Sequence, residues 1–381
     1  MPKLSQTDTP ASLGYRMPAE WELHAATWLG WPHNKTDWPG KFQPIPWVYA
    51  EIVRNLARAE RIEILVQDAR AEEQARGVLD KANAFSDNIR FRRVVTNRGW
   101  MRDSAPIFVK RQNKNDPIAA VNWHFNAWAK YPDWRDDAKA SERIVKWAGV
   151  PAFRPEVTGK RIVLEGGSID ANGRGLLLAT EECLLSEIQS RNPGMSQEEL
   201  ERVLADYLGI EKVIWLDRGI TGDDTHGHVD DISRFVAADT VLTAVEPNKN
   251  DDNHEPLRVN RERLRQATDQ SGRQLQVVDL PMPAPVVFKG RRLPASYANF
   301  YIANGAVMVP VFNDKNDRVA LNILSDLFPA RDIVPIYCGD LVWGLGAIHC
   351  MTQQQPGLEA LGIRKIELKT EKRCRCQQRS P

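Results

Sequence analysis

The spacing of apolar residues changes along this chain, and the changes mark its elements. "RIEILVQD" (61–68) reads as a strand, lying between helix-like patterns at 48–60 ("VYAEIVRNLARAE") and 70–84. Further on, paired strand patterns start near Ile107, Arg161, Ile232 and Asn299, with helix candidates between the pairs. "YIANGAVMVPVF" sets Asn304-Gly305 between two apolar runs, which predicts a hairpin turn. In "SQEELERVLADYL", Ser196 and Glu199 can cap one another, and Leu200, Val203, Leu204, Tyr207 and Leu208 share one helical face. A repeated strand pair plus helix resembles a degenerate repeat rather than a doubly wound nucleotide fold. No proline- or serine-rich linker divides the middle. One α/β domain is therefore expected over 15–370, between a mobile segment 1–14 and a basic tail 371–381.

Composition narrows the classes. The chain has 381 residues, 42% of them hydrophobic, and a net charge of +1. That balance argues against a nucleic-acid or membrane-surface partner. No apolar run approaches the roughly 18 residues of a transmembrane helix, and the polar start "MPKLSQTDTPASLGY" lacks the core of a secretory signal. Five cysteines, an odd number, do not suit a disulfide framework, so a reduced cytoplasmic setting is expected. Twelve tryptophans, several beside polar clusters, suit a protein that encloses a small ligand.

Four polar stretches lie where strands should meet loops: "NRGWMRDSAP" (97–106), "VLEGGSID" (163–170), "GDDTHGHVDD" (222–231) and "GLGAIHCMTQQQP" (344–356). Each has a plainer reading. Asp103 beside Arg102 could be a surface ion pair, Glu165 could be exposed on a glycine bulge, and Cys350 could be a buried structural thiol. His226, His228 and Asp230 alternate, so an extended backbone would point all three one way, as a metal site would need. The five other histidines form no second metal-like cluster.

Taken together, two or three carboxylates, a histidine and a thiol suit a guanidinium. That cation is planar and rich in donors, so paired carboxylates can hold it. Its carbon is a poor electrophile, and a thiolate above a fixed plane answers that difficulty. Ammonia would leave, water would release a ureido product, and the histidine would move the protons.

The chain resembles the agmatine deiminases of the porphyromonas-type peptidyl-arginine deiminase family. The resemblance rests on "MPAEWELHAATWLGWP" (17–32), "WMRDSAP", "FNAWAK" (125–130), "LEGGSID", "TEECLL" (180–185), "DDTHGHVDD", "ASYANFYIANG" (295–305) and "GAIHCMTQQQP", in the family's order. It implies a five-bladed α/β propeller, the pentein fold, of ββαβ repeats around one central site. It implies a deiminase that turns agmatine into N-carbamoylputrescine and ammonia, a step of putrescine biosynthesis, with free or peptidyl arginine as the alternative substrate. By the same resemblance Cys350 is the nucleophile of an amidino-cysteine intermediate and His228 the acid/base. Asp103 and Asp230 grip the guanidinium, Glu165 supports His228, and Trp100 lines the pocket. No cofactor and no metal are implied, the partner is a small guanidine, and a homo-oligomer is allowed. The chain departs from the family at Ser104-Ala105, at His226 in place of asparagine, at Leu345 and Ala347, and in "FNAWAKYPDWRDD", which brings Lys130 and Arg135 near the "FNAW" loop. An ammonium at the substrate's far end asks for a carboxylate at the pocket mouth. Glu22, Asp223 and Asp224 are the candidates, with Asp224 preferred.

Overall fold

The computed structural model describes residues 8–112 and 116–358; the basic run from Lys365 and the expected tail 371–381 lie outside the described residues. Of the amino-terminal segment, Ala11–Leu13 forms a turn of 3-10 helix closed by Gly14.

Among the described residues, five sheets of three or four strands share one pattern: an antiparallel pair, then a helix, then a third strand parallel to the second. Ile107–Lys110 pairs with Ile118–Val121, and Ala152–Phe153 returns after the helix Arg135–Ala148. Asp170–Ala171 pairs with Leu176–Thr180, and Lys212–Leu216 returns after Gln197–Leu208. Ser233–Ala237 pairs with Thr240–Val245, and Gln276–Pro281 returns after His254–Gln266. Tyr301–Ile302 pairs with Ala306–Val311, and Asp332–Tyr337 returns after Asp317–Leu327. The fifth sheet is assembled from distant segments. Thr352–Pro356 lies antiparallel to His24–Gly30, and Arg61–Val66 follows the helix Ile45–Leu56. A further helix, Ala69–Lys81, leads to a fourth strand, Ile89–Arg93.

Local chemistry explains the well-formed elements. Ser196 and Glu199 make the reciprocal capping box, and Leu200, Val203, Leu204 and Leu208 are buried while Tyr207 packs at the edge. Asn304-Gly305 does make the turn into Ala306–Val311. Its Asn304 side chain also bonds both backbone groups of His24, tying the turn to the fifth sheet. The pair expected from Arg161 starts later, at Asp170, because residues 166–168 form a tight 3-10 turn behind the buried Glu165. Lys160–Arg161 pairs only with Glu156–Val157. No helix among the described residues is long and apolar enough to cross a membrane.

Candidate active site

In every sheet, a polar residue of interest sits just before the first strand of the antiparallel pair. Asp103 lies in the short helix Met101–Ser104, Glu165 and Gly167 at the turn Gly166–Ser168, and His228 and Asp230 at the turn Val229–Asp231. Asn299 precedes Tyr301, and Cys350 sits in the helix Ile348–Met351. The four polar stretches thus converge, and Asp103, Glu165, His228, Asp230 and Cys350 are all buried in one place.

Gly167 shows how tightly they meet. A Cβ there would lie 2.6 Å from His228 Nδ1, 2.9 Å from Asp103 Oδ1 and 3.1 Å from Asp230 Oδ2. Only glycine leaves that space open. Its N–H donates to Asp103 Oδ1 at 3.0 Å, and Trp128 Nε1 donates to the other oxygen at 2.9 Å. His228 lies between two carboxylates, 3.8 Å from Asp103 and 3.8 Å from Glu165, and neither ring nitrogen has a hydrogen-bond partner among the described residues. Glu165 is fully buried and pairs with Arg191 Nε at 3.1 Å. Glu165 is therefore neither exposed nor on a bulge.

Cys350 Sγ receives the Asn299 amide at 3.0 Å and stands 3.6 Å from Asp230 Oδ2. Asn299 also bonds Asp231 Oδ1 and accepts the His349 N–H, so one side chain fixes both the thiol and its backbone. Asp230 Oδ2 accepts from His349 Nδ1 at 2.7 Å, while its Oδ1 is buried with no partner among the described residues.

The electrostatics follow from burial and partners. Burial pushes the Asp103 carboxyl up to about 6, opposed by His228 and reinforced by Asp230 and Glu165. Burial also opposes the charge of Glu165, but Arg191 and then His228 hold it at about 2. For His228 burial favours the neutral ring, yet Asp103, with Cys183 and Glu165 beyond it, keeps the ring's pKa well above the usual value. Burial, then Asp230, Asp231 and Asp103, raise the Cys350 thiol far above its ordinary range. A cation placed among these carboxylates would relieve three of those four causes.

The thiol and Asp103 floor a cavity of about 340 Å³. Trp100, Trp128, Tyr131 and Trp343 line its walls, with Asp37, Arg98, Asp224 and Arg291 farther along the lining. Gly346 lets the loop before Cys350 pass the Trp100 ring, since a Cβ would come within 2.9 Å of it. Trp100 and Asp224 both line the cavity. Glu22 does not; it pairs with Arg16 and Lys110 elsewhere. Asp223 caps its own loop, accepting from Thr225, Gly227 and His228. Lys130 reaches Asp224 Oδ2 at 3.0 Å beside the Tyr131 hydroxyl at 2.6 Å, whereas Arg135 lies over Trp134 on the surface.

The alternation of His226, His228 and Asp230 does not survive. His226 takes a left-handed φ of 67° and Gly227 a φ of 91°, so the segment is not extended, and His226 faces Ser186 and Glu182. The described ligand-type atoms that cluster are Glu165, Cys183 and His228 in one group and Asp230, Asp231 and Cys350 in another; His226 belongs to neither. Residue type and spacing do not single out Asn299, Trp128, Arg191 or Glu20, although Glu20, Trp128 and Asn299 stand inside quoted motifs.

A buried thiol, a histidine between carboxylates and an aromatic-walled cavity thus meet in one place. The chain matches the model of the Porphyromonas-type peptidyl-arginine deiminase family over residues 16–356, and it belongs to that family. The agmatine deiminase of Medicago truncatula is 36% identical, over 92% of this chain and 99% of its own. The solved agmatine deiminase of Enterococcus faecalis superposes with a TM-score of 0.85 at 33% identity, covering 93% of this chain and 99% of that one. A cysteine-to-serine variant of the C. jejuni agmatine deiminase, solved with substrate bound, gives 0.78 at 27% identity, covering 90% and 96%.

Proposed function

We propose that this protein is an agmatine deiminase, hydrolysing agmatine to N-carbamoylputrescine and ammonia through a covalent amidino-cysteine intermediate. The observation that supports the reading is that Cys350 and Asp103, which line the cavity, meet Asp230 and His228 directly behind them. Asp103 and the free oxygen of Asp230 take the guanidinium N–H groups, and Trp100 and Trp128 flank the alkyl chain. Cys350 sulfur, releasing its proton to solvent, bonds the guanidinium carbon, while His228 already carries the proton it will give the leaving nitrogen. One C–N bond then breaks as His228 protonates the departing nitrogen, which leaves as ammonia. In the second half His228 takes a proton from water, the water oxygen bonds the same carbon and the C–S bond breaks. The thiol and a ureido product result. Glu165, fixed by Arg191, orients His228 throughout. No cofactor enters these steps.

Asp224 receives the terminal ammonium at the mouth. A second reading, free arginine, draws on Arg291, which lines the cavity and has no ion-pair partner among the described residues. We read the five sheets as five blades around the cavity, within one domain, and the three described cysteines, free and buried, support a cytoplasmic setting. Ureido product and ammonia, assayed with agmatine, arginine and short arginine peptides, test the reading. A kcat/KM for arginine equal to that for agmatine would overturn the substrate, and no ureido product from any of them would overturn the chemistry.

A further inference from the structure

Behind the cavity lies a second buried histidine that the mechanism leaves idle. His349 precedes the nucleophile and is 2% exposed. Its Nδ1 lies 2.7 Å from Asp230 Oδ2 and its Nε2 lies 2.7 Å from Glu20 Oε2. A ring with a carboxylate at each nitrogen serves as donor to both when both carboxylates are ionised. Glu20 is itself anchored: Arg234 stands 3.0 Å and Arg102 3.3 Å from its oxygens, and the Ile302 N–H donates to it at 2.8 Å. Arg102 also donates to the His349 carbonyl and to Gln354.

We infer that Glu20 and His349 are positioning residues for Asp230: together they take up one of its oxygens and leave the other aimed at the substrate guanidinium. The inference rests on the deiminase reading above. Its logic is geometric. Asp230 Oδ1 has no partner among the described residues, so the carboxylate is turned by what meets its Oδ2: the His349 bond at 2.7 Å and the longer contact of the Cys350 thiol at 3.6 Å. Without that bond the carboxylate can rotate, and a misplacement of about 1 Å costs on the order of a hundredfold in rate. The bond also favours the ionised form. Asp230 is otherwise faced by Asp103, Asp231 and the Cys350 thiol, which oppose its charge, and by His228 and Arg234, which favour it.

The test uses Glu20→Gln, His349→Gln and the double variant, assayed with agmatine across pH. His349→Gln should lower kcat/KM about a hundredfold and move its acid limb to higher pH, because Asp230 then protonates more readily and joins Asp103, whose carboxyl sets the limb of the unmutated protein. Glu20→Gln should give a smaller loss in the same direction. If Glu20 acts through His349, the double variant should be no worse than His349→Gln alone. Multiplying losses, or a His349→Gln variant with an unmoved acid limb, would overturn the inference. Glu20→Gln also disturbs two arginines, so His349→Gln decides the matter alone should that variant not fold. Ureido product from the unmutated protein keeps the deiminase reading standing in every one of these cases.

Discussion

The floor of the cavity and its mouth are built differently. At the floor, Asp103, Glu165, His349 and Asn299 are buried and bonded from several directions. At the mouth, Asp224 is held by Lys130, whose side chain is 36% exposed, and Arg291 has no ion-pair partner among the described residues. A buried charge that loses its partner costs several kcal/mol, whereas a half-exposed pair contributes little. On the proposed function, the chemistry is thus fixed by the architecture, while the choice of substrate rests on contacts that can change at small cost.

The comparison can be broken hardest at the floor. Cys350→Ser should fold normally and retain below about 1% of turnover, since an alcohol is a far weaker nucleophile near neutral pH. Normal melting with more than a few per cent of ammonia release would remove Cys350 from its role. His228→Gln should follow, lowering kcat by about 10²–10⁴ with little change in binding. An unchanged kcat with a raised KM would instead make His228 a binding residue.

Asp103→Asn should cost about 2–5 kcal/mol in kcat/KM, the range for truncating one partner of a buried pair. The pH profile sharpens this. Asp103 must be ionised to hold a cation, and burial places its pKa in the empty site at about 6. Its charge is therefore lost as pH falls through that value, and kcat/KM should decline below about pH 6. A flat profile down to pH 5 would exclude Asp103 from substrate binding.

The smallest effect belongs to the mouth. Lys130→Ala should raise kcat/KM for agmatine by no more than the roughly 0.2–1 kcal/mol of an exposed ion pair, because Asp224 is released for the substrate's ammonium. A fall of tenfold would show that Lys130 helps rather than competes. The same substitution should leave the acid limb in place, which separates mouth from floor.

Much of this was legible in the chain, and the rest was hidden for definite reasons. The capping box at Ser196 and the Asn304-Gly305 turn depend on neighbours in sequence, so local pattern finds them. The four polar stretches could be gathered because each carries a reactive residue type. Glu20, Arg191 and Asn299 could not, since their meaning lies in contacts made across the fold: Glu20 with His349, Arg191 with Glu165, Asn299 with Cys350. The alternation of His226 and His228 misled because period-two reasoning assumes extended backbone, and two residues of left-handed φ remove that premise. Arg161 misled because a tight turn around a buried carboxylate interrupts what looks like a continuous strand.

The strand Thr352–Pro356, immediately after the helix that carries Cys350, is paired with His24–Gly30 from the opposite end of the described chain. This is among the most non-local pairings in the molecule, and such contacts are made late because they bear the largest loop-closure entropy. Cys350 is thus seated by the same pairing that completes the fifth sheet. A nascent or partly folded chain holds a thiol with no carboxylates around it, and the proposed reactive centre assembles only when the architecture is complete.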